Sequence, residues 1–384
     1  MILRHIHYSL MNVLLLLNFG VMLVGGAAVW LGYIAALLIT TLVDEAAGDD
    51  VSKDGAAPQR FLDAMLFLTL PLIALNLVAL SLLFGTTDAY GLVPLLMTAG
   101  IDIEAARASS GFWSLAGALM GTGLFIGGAA TNVAHELVHR THSPLAMVVG
   151  RWLLAFSFDT TFSIEHVHGH HRHMCTPVDP ATSKRGEYPL AFFVRSTING
   201  NISAVKIEAN RLKRKELPFF SLQNRVITGQ LMSLALAMLA FAIGGLWALG
   251  AFVVVGVVGK LYLELVNFIE HYGLVRVPGA RVEARHAWNT YKAVSSGILY
   301  NLPRHSHHHM YAAKPYWTLE EEPEGPNYPH GYMTMILFSL IPPLWNHTVN
   351  PLLAEWDRAS ASEAEKAIIR GGASSGAAPM VAAE

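Results

Sequence analysis

The sequence predicts an all-α integral membrane bundle, six transmembrane helices carrying a cytoplasmic, histidine-rich catalytic cap. Three observations lead there. The 384 residues are 53% apolar and only 14% charged, whereas a soluble domain carries about a quarter charged residues. Apolar runs long enough to cross a hydrocarbon core about 30 Å thick recur along the chain. Nine of the 18 histidines fall in four short clusters at the ends of such runs, where ionisable side chains are costly and mark function by default.

The spans follow in order. Residues 8–43 are almost continuously apolar, too long for one crossing, and Gly25-Gly26 offers the turn between two helices. A signal peptide with Arg4 as its basic region is the alternative for the first run, and the second apolar run directly behind it argues against that. Residues 61–84 give a third span, with Asp63 near its start and Pro71 inside, where neighbouring helices can satisfy the carbonyl that proline frees. The fourth runs from Trp113 to Ala134 and continues into HELVHR; its Gly117/Gly121 and Gly123/Gly127 pairs suit close helix packing. Residues 226–269, interrupted at Gly244-Gly245, read as spans five and six with EHYG at the exit. Residues 333–345 are apolar but short and contain Pro342-Pro343, which suits a peripheral or re-entrant segment. The division is therefore 1–140 (spans one to four and the first histidine motif), 141–225 (a cytoplasmic segment with the second), 226–271 (spans five and six), 272–369 (a cytoplasmic cap with the last) and 370–384 (a flexible tail).

Charge orients the bundle. Residues 140–225 hold 12 of the 26 Lys and Arg and the chain after span six holds nine more, whereas residues 85–112 have only Arg107. By the positive-inside rule the two large segments are cytoplasmic, as are both termini, so all four histidine clusters meet at the inner face of the cytoplasmic membrane. The acidic stretch with Asp44, Glu45, Asp49, Asp50 and Asp54 runs against this, but acids weigh little in the rule.

The spacing within the clusters is that of metal ligands. His135 and His139 in HELVH stand i and i+4, one turn apart on one helical face. His166, His170 and His171 (EHVHGHH) are i, i+4, i+5, and His305, His308 and His309 (HSHHH) are i, i+3, i+4. With His271 they make nine donors, too many for one ion and suited to two; imidazole alone does not choose between Fe, Zn, Cu and Ni. A zinc-protease reading of HELVH would leave seven clustered histidines idle. His168, His173 and His307 fall off the shared faces, and His142, His286, His330, His347, His5 and His7 lie outside the tight clusters, His286 being the nearest exception. Two divalent ions held by neutral rings need compensating charge, so Glu136, Glu165, Asp179 and Glu270 are expected to accept from ligand N–H groups. Lys260 and Glu264 inside span six suit an i,i+4 ion pair. The single cysteine, Cys175, excludes a built-in thiolate cluster, so electrons must come from another chain.

HELVHR, EHVHGHHRHMCTPVDPATSKRGE, NFIEHYGLVR, HAWN and LPRHSHHHM, in this order, closely resemble the membrane-bound alkane monooxygenases and their xylene monooxygenase relatives, over roughly residues 130–356. The resemblance implies the six-span fold, two non-haem Fe ions held by the nine histidines, and electrons from a rubredoxin or ferredoxin-type donor with its NAD(P)H-dependent reductase. It implies hydroxylation of the terminal methyl group of an n-alkane, or of an alkylaromatic methyl group, with O2 and two electrons. His307 departs from the alkane branch, which often places an acid between ligands, and Lys260/Glu264 with KIEANRLKRK looks more like the xylene branch.

The hydrophobic substrate would partition from lipid into an apolar cavity expected to be lined by spans one to four, with Trp30, Phe67, Trp113 and Phe125 as candidate walls. No nucleic-acid partner is expected. Arg195, Lys206, Arg211, Lys213, Arg214 and Lys215 form a basic stretch that could steer an acidic redox protein; the same charges equally serve topology and attract anionic lipid. A lipid desaturase or hydroxylase would use similar histidine boxes, and a metal transporter would need ligands along a path within the spans. Both remain alternatives.

Overall fold

A computed structural model describes residues 2–52, 58–88 and 90–374. Asp54 and residues 375–384 of the expected tail lie outside the described residues; residues 370–374 continue the helix Glu363–Ser374. Every regular element among the described residues is helical, with only two isolated bridges between extended residues.

Among the described residues, five helical stretches are long and apolar enough to cross a membrane: α1 (His5–Val24), α2 (Gly26–Ala47), α3 (Gln59–Phe84), α4 (Phe112–His139) and Arg225–His271. The protein is thus a multi-pass membrane protein. Two further helices matter for the site, α5 (Pro144–Ala155) and α6 (Pro189–Arg214). The 47 residues of Arg225–His271 would make a rod of about 70 Å. Gly245 breaks it: with φ 75° and ψ −158° it takes a conformation essentially reserved for glycine, and the chain divides into α7 (225–244) and α8 (246–271). Gly25 reverses the chain between α1 and α2 with nearly the same angles, φ 74° and ψ −163°.

These reversals gather at one end. Gly25 packs so closely on Ala106 that a Cβ would lie 2.4 Å from its carbonyl oxygen, Gly26 N donates to Ser110 Oγ, and Arg107 Nε donates to Leu82 O. The backbone N–H of Thr86 donates to Gly244 O, and a Cβ on Gly244 would come 2.2 Å from Ser81 O and 2.8 Å from the Gly85 Cα. At the other end, Asp44 accepts from Ser295 N and Oγ, Asn301 Nδ2 donates to the Tyr8 hydroxyl, and the Tyr316 hydroxyl donates to Leu62 O. The chain therefore alternates between a turn end and a histidine end. The acidic stretch that opposed the charge argument lies at the histidine end with Asp44, bonded into it.

The outer faces of the helices carry exposed leucine, isoleucine and valine, among them Leu16, Ile34, Leu75, Leu234 and Val254. Water would leave such surface uncompensated, whereas hydrocarbon matches it. Within the bundle, glycines let backbones touch: Gly127 lies against Tyr262, Gly123 against Val258 and Gly259 against Ile126. Polar side chains also join the helices, as where Asn18 Nδ2 donates to Asn76 Oδ1 at 2.8 Å.

Two predictions concern this scaffold. Gly244→Ala places a methyl group on the backbone of α3 and should lower stability by about 1–3 kcal/mol in thermal unfolding of the detergent-solubilised protein. The second concerns Glu208 of α6, which accepts from Arg211 and from both Nε and the backbone N–H of Arg225. Burial works to raise its pKa, but the two guanidinium groups hold it down at about 2. Because the folded carboxylate sits below its unfolded value, its contribution is complete above about pH 5 and is lost as pH falls towards 2. Glu208→Gln should cost about 2–3 kcal/mol at neutral pH and flatten the stability profile across that acidic window, read by the same unfolding assay.

Candidate metal centre

Four separated stretches bring the histidines to one place. His135 and His139 occupy the end of α4. His166–His170 forms a wide π-type turn and His171 opens the next; such turns carry an extra residue and recur at functional sites. His271 is the last residue of α8, and His305, His308 and His309 lie on the short helix α9 (His305–Met310).

The donor atoms of His135, His139, His166, His171 and His308 all lie within 4.8 Å of one another, as do those of His170, His271 and His309, and those of Glu270, His271 and His305. The Nε2 atoms face each other at 3.1 Å for His166 and His171, 3.3 Å for His171 and His308, 3.2 Å for His271 and His305, and 3.0 Å for His305 and His309. Two nitrogens bound about 2.0–2.1 Å from one ion, at right or tetrahedral angles, stand about 2.8–3.4 Å apart. The buried Nε2 atoms of His135 and His139 have no hydrogen-bond partner at all. Such atoms cost about 1–3 kcal/mol each unless something accepts their lone pairs, and a metal ion does so. The residues present therefore fit a metal centre.

Electrostatics agree. Burial, followed by repulsion from neighbouring rings, holds His166, His171, His305, His308 and His309 well below the usual imidazole pKa. They are neutral, which is the ligating form. His170 differs: burial lowers it, but Asp179, with smaller contributions from Glu165 and Glu264, more than offsets this and the net shift is upward. Its Nδ1 donates to Asp179 Oδ2 at 2.9 Å, and that carboxylate is itself fixed by Thr182 Oγ1 and Ala181 N. His271 Nδ1 donates to His286 O at 3.3 Å, and His305 Nδ1 stands 3.4 Å from Glu270 Oε1, which accepts from the Tyr332 hydroxyl. A proton held on Nδ1 leaves the Nε2 lone pair directed at the shared centre.

Of the four acids expected behind the rings, Asp179 accepts from one, and Glu270 stands beside His305 without a hydrogen bond to its Nδ1. Glu136 turns instead to the nearest cation, accepting Arg140 Nε and Nη2 at 3.1 and 3.0 Å, while Arg140 Nη1 donates to Asp63 at 2.6 Å and its guanidinium lies over Trp317. Glu165 accepts from Ser203 at 3.3 Å and fills the space beside Gly169, where a Cβ would come within 2.4 Å of its Oε1. Lys260 pairs with Glu264 as expected, and with Asp159, which sequence spacing did not suggest.

The remaining histidines stay apart. His168 is exposed, His307 faces Glu322 and Lys314, and His286 is fully engaged, Nε2 with Glu365 at 2.8 Å and Nδ1 accepting from Glu283 N at 3.0 Å. Of the basic stretch, Arg195 is spent on Glu187 and two backbone carbonyls, and Arg211 on Glu208 and Gln223 O. Lys206, Lys213, Arg214 and Lys215 remain exposed.

Two residues of HAWN prove to hold the histidine-bearing segments in place. The last carbonyls of a helix lack internal partners, and at the end of α8 Trp288 supplies them, its N–H donating to Glu270 O and its indole to Tyr272 O, both at 2.9 Å; the Tyr328 hydroxyl serves Ile269 O. Asn289 accepts from Ser306 N and donates to Ser306 Oγ, both at 2.8 Å, pinning the start of α9. A tryptophan and an asparagine adjacent in an otherwise polar loop were the available signal.

An apolar cavity lies near the centre, lined by Met11, Leu14, Phe125, Tyr262, Ile298 and Tyr332 among others. Its walls come from α1, α2, α4 and α8 together with residues 295–336, so α8 takes the place expected for α3. Phe125 is a wall; Trp113 is 74% exposed at the turn end, and Trp30 packs on Gly117 and donates to Trp113 O.

Asp179→Asn keeps the shape of the side chain but removes its charge. Metal affinity should fall about 10–100-fold, measured by competitive chelator titration of the purified protein.

The family model for fatty acid desaturases matches residues 110–338. The chain is 34% identical over 289 residues to alkane 1-monooxygenase 1 of Pseudomonas aeruginosa, covering 73% of this chain and 72% of that protein. It is 39% identical over 225 residues to the alkane 1-monooxygenase of Acinetobacter baylyi (57% and 55%), and 30% identical over 344 residues to the hydroxylase component of xylene/toluene monooxygenase from Pseudomonas putida (89% and 87%). With the convergent histidines and the membrane helices, these likenesses establish that the chain belongs to the fatty acid desaturase family and, among its members, to the group of the alkane and xylene monooxygenases.

Proposed function

We propose that the protein is a membrane monooxygenase that hydroxylates the terminal methyl group of a hydrophobic substrate, an n-alkane or the methyl group of an alkylaromatic. The observation that carries this reading is the convergence of the nine histidine donors into adjoining groups at the end of an apolar bundle. The reaction balances as R–CH3 + O2 + 2 electrons + 2 H+ giving R–CH2OH + H2O. Two non-haem Fe ions would suit these donors, one held by His135, His139, His166, His171 and His308 and the other by His170, His271 and His309 together with His305, whose Nε2 lies 3.2 and 3.0 Å from those of His271 and His309. When bound they supply the O2 activation and oxidising power that no side chain possesses.

The chain's own residues do the rest. Asp179 fixes the orientation of the His170 ring, and Asp179 and Glu270 both offset cationic charge. Met11, Leu14, Phe125 and Ile298 offer a water-poor surface into which a hydrocarbon partitions from lipid. Electrons come from a separate redox protein, because Cys175, the sole cysteine, is buried and its thiol donates to His286 O. Six spans, counting α7 and α8 separately, leave both termini at the histidine end. The concentration of Lys and Arg there supports placing it in the cytoplasm, with the bundle in the inner membrane.

The test uses full-length protein supplied with iron, a reductant chain and a panel of n-alkanes, alkylaromatics and fatty acyl lipids, with products identified by mass. Terminal alcohols are expected, falling to background in His308→Ala. Alkenes would point to desaturation, the reaction named by the family model, and no product with intact bound metal would overturn the oxygenase reading.

A further inference from the structure

We propose that α6 is an interfacial membrane helix: it lies flat at the hydrocarbon boundary on the histidine side, with one apolar ridge in the acyl region and its lysines and arginines among anionic lipid headgroups. This rests on the membrane placement of the bundle, not on the reaction it catalyses.

The depth of α6 follows from its contacts. Residues 225–244 of α7 rise about 30 Å, the thickness of the hydrocarbon core, so Arg225 marks its boundary. The turn end is marked by Trp247, 69% exposed, and Trp113, and the Arg225 end by Phe220 and Leu222, 88% and 75% exposed. In α8 about the same number of residues from Gly245 reaches Glu264 and Leu265. The two helices are in register, since Thr160 packs on Gly229 while its neighbour Asp159 binds Lys260. One turn further towards the histidine end lie Arg225 and Glu264. Ser196 Oγ of α6 donates to Glu264, and Glu208 of α6 binds Arg225. These two contacts sit at one depth although about 18 Å of helix separates them. The helix therefore runs along the boundary, not through it.

Its three faces suit that position. Phe192, Ser196, Ala204, Glu208 and Leu212 pack on the protein. Leu190, Val194, Ile198 and Ile202, at successive i+4 steps, form an exposed apolar ridge joined by Val205, and Ile198 is 55% exposed. Asn199, Lys206, Asn210 and Lys213 form an exposed polar ridge between these two faces, leading to Arg214 and Lys215. A soluble redox partner would match the charges but leave the aliphatic ridge in water; an anionic bilayer surface matches both, each cation near it contributing attraction of lipid headgroups.

The buried native cysteine, 2% exposed, permits single spin labels. Full-length variants Ile198→Cys, Ile202→Cys and Asn210→Cys are labelled and reconstituted in phosphatidylcholine/phosphatidylglycerol vesicles, retained metal content serving as the control for folding. Labels at 198 and 202 should relax several-fold more with O2 than with a water-soluble nickel chelate, and the label at 210 should show the reverse. Nickel access at 198 and 202 equal to that at 210 would overturn the proposal. The headgroup assignment has its own arm: phosphatidylglycerol should raise the unfolding temperature of the wild-type protein, and the combined Lys206→Glu, Lys213→Glu, Arg214→Glu, Lys215→Glu variant should lose that rise. Persistence of the rise, with donor-dependent turnover impaired instead, would assign the four charges to a redox protein and overturn their assignment to lipid.

Discussion

Nine imidazole donors crowded into one mostly buried space are the constraint to which the remainder of the molecule answers. Lone pairs facing each other near 3 Å do not hold themselves together; they are a loaded arrangement that only a cation relieves. The scaffold must resist their separation, and it does so with helix ends. α4 and α8 deliver histidines from rigid spans, while α9 is too short to be stable alone and depends on Asn289 for its position. Precision at the centre thus derives from elements anchored in the bundle, with Trp288 and Tyr328 completing the hydrogen bonding where α8 stops.

Charge is managed in two compact knots beside the rings. Arg140 lies between Glu136 and Asp63, joining α4 to α3, and Lys260 lies between Asp159 and Glu264, joining α8 to the chain between α5 and the second histidine motif. Each knot has one more carboxylate than cation. Buried ion pairs are weak sources of net stability, but an excess of negative charge close to a cationic centre lessens the cost of housing it. The acids thus act at two ranges: Asp179 and Glu270 on particular rings, the knots on the field around them.

The spans were legible in the sequence because hydropathy acts over 20 residues at a time, and their reversals because Gly25 and Gly245 need backbone angles other residues avoid. The nine histidines were legible because spacing along a helix converts directly into direction. Partner choice was not. Glu136 stands beside His135 in sequence, yet a guanidinium one turn away outcompetes an imidazole for it, and Asp63 reaches that guanidinium from another span. Asp159 was invisible for the same reason. α6 escaped notice because its aliphatic ridge is diluted by the polar residues of the other faces, so that averaged hydropathy shows only a basic, mixed segment.

The glycine reversals between α1 and α2 and between α7 and α8 have a bearing on how the chain enters its membrane. Neither carries a polar loop or a charge at its tip, so nothing hydrophilic need be exported to form it. Each pair can slide in as a preassembled hairpin, released sideways from the insertion machinery in one event. Both hairpins therefore keep their polar ends, the histidines among them, on one side of the bilayer, with no hydrophilic group carried to the other.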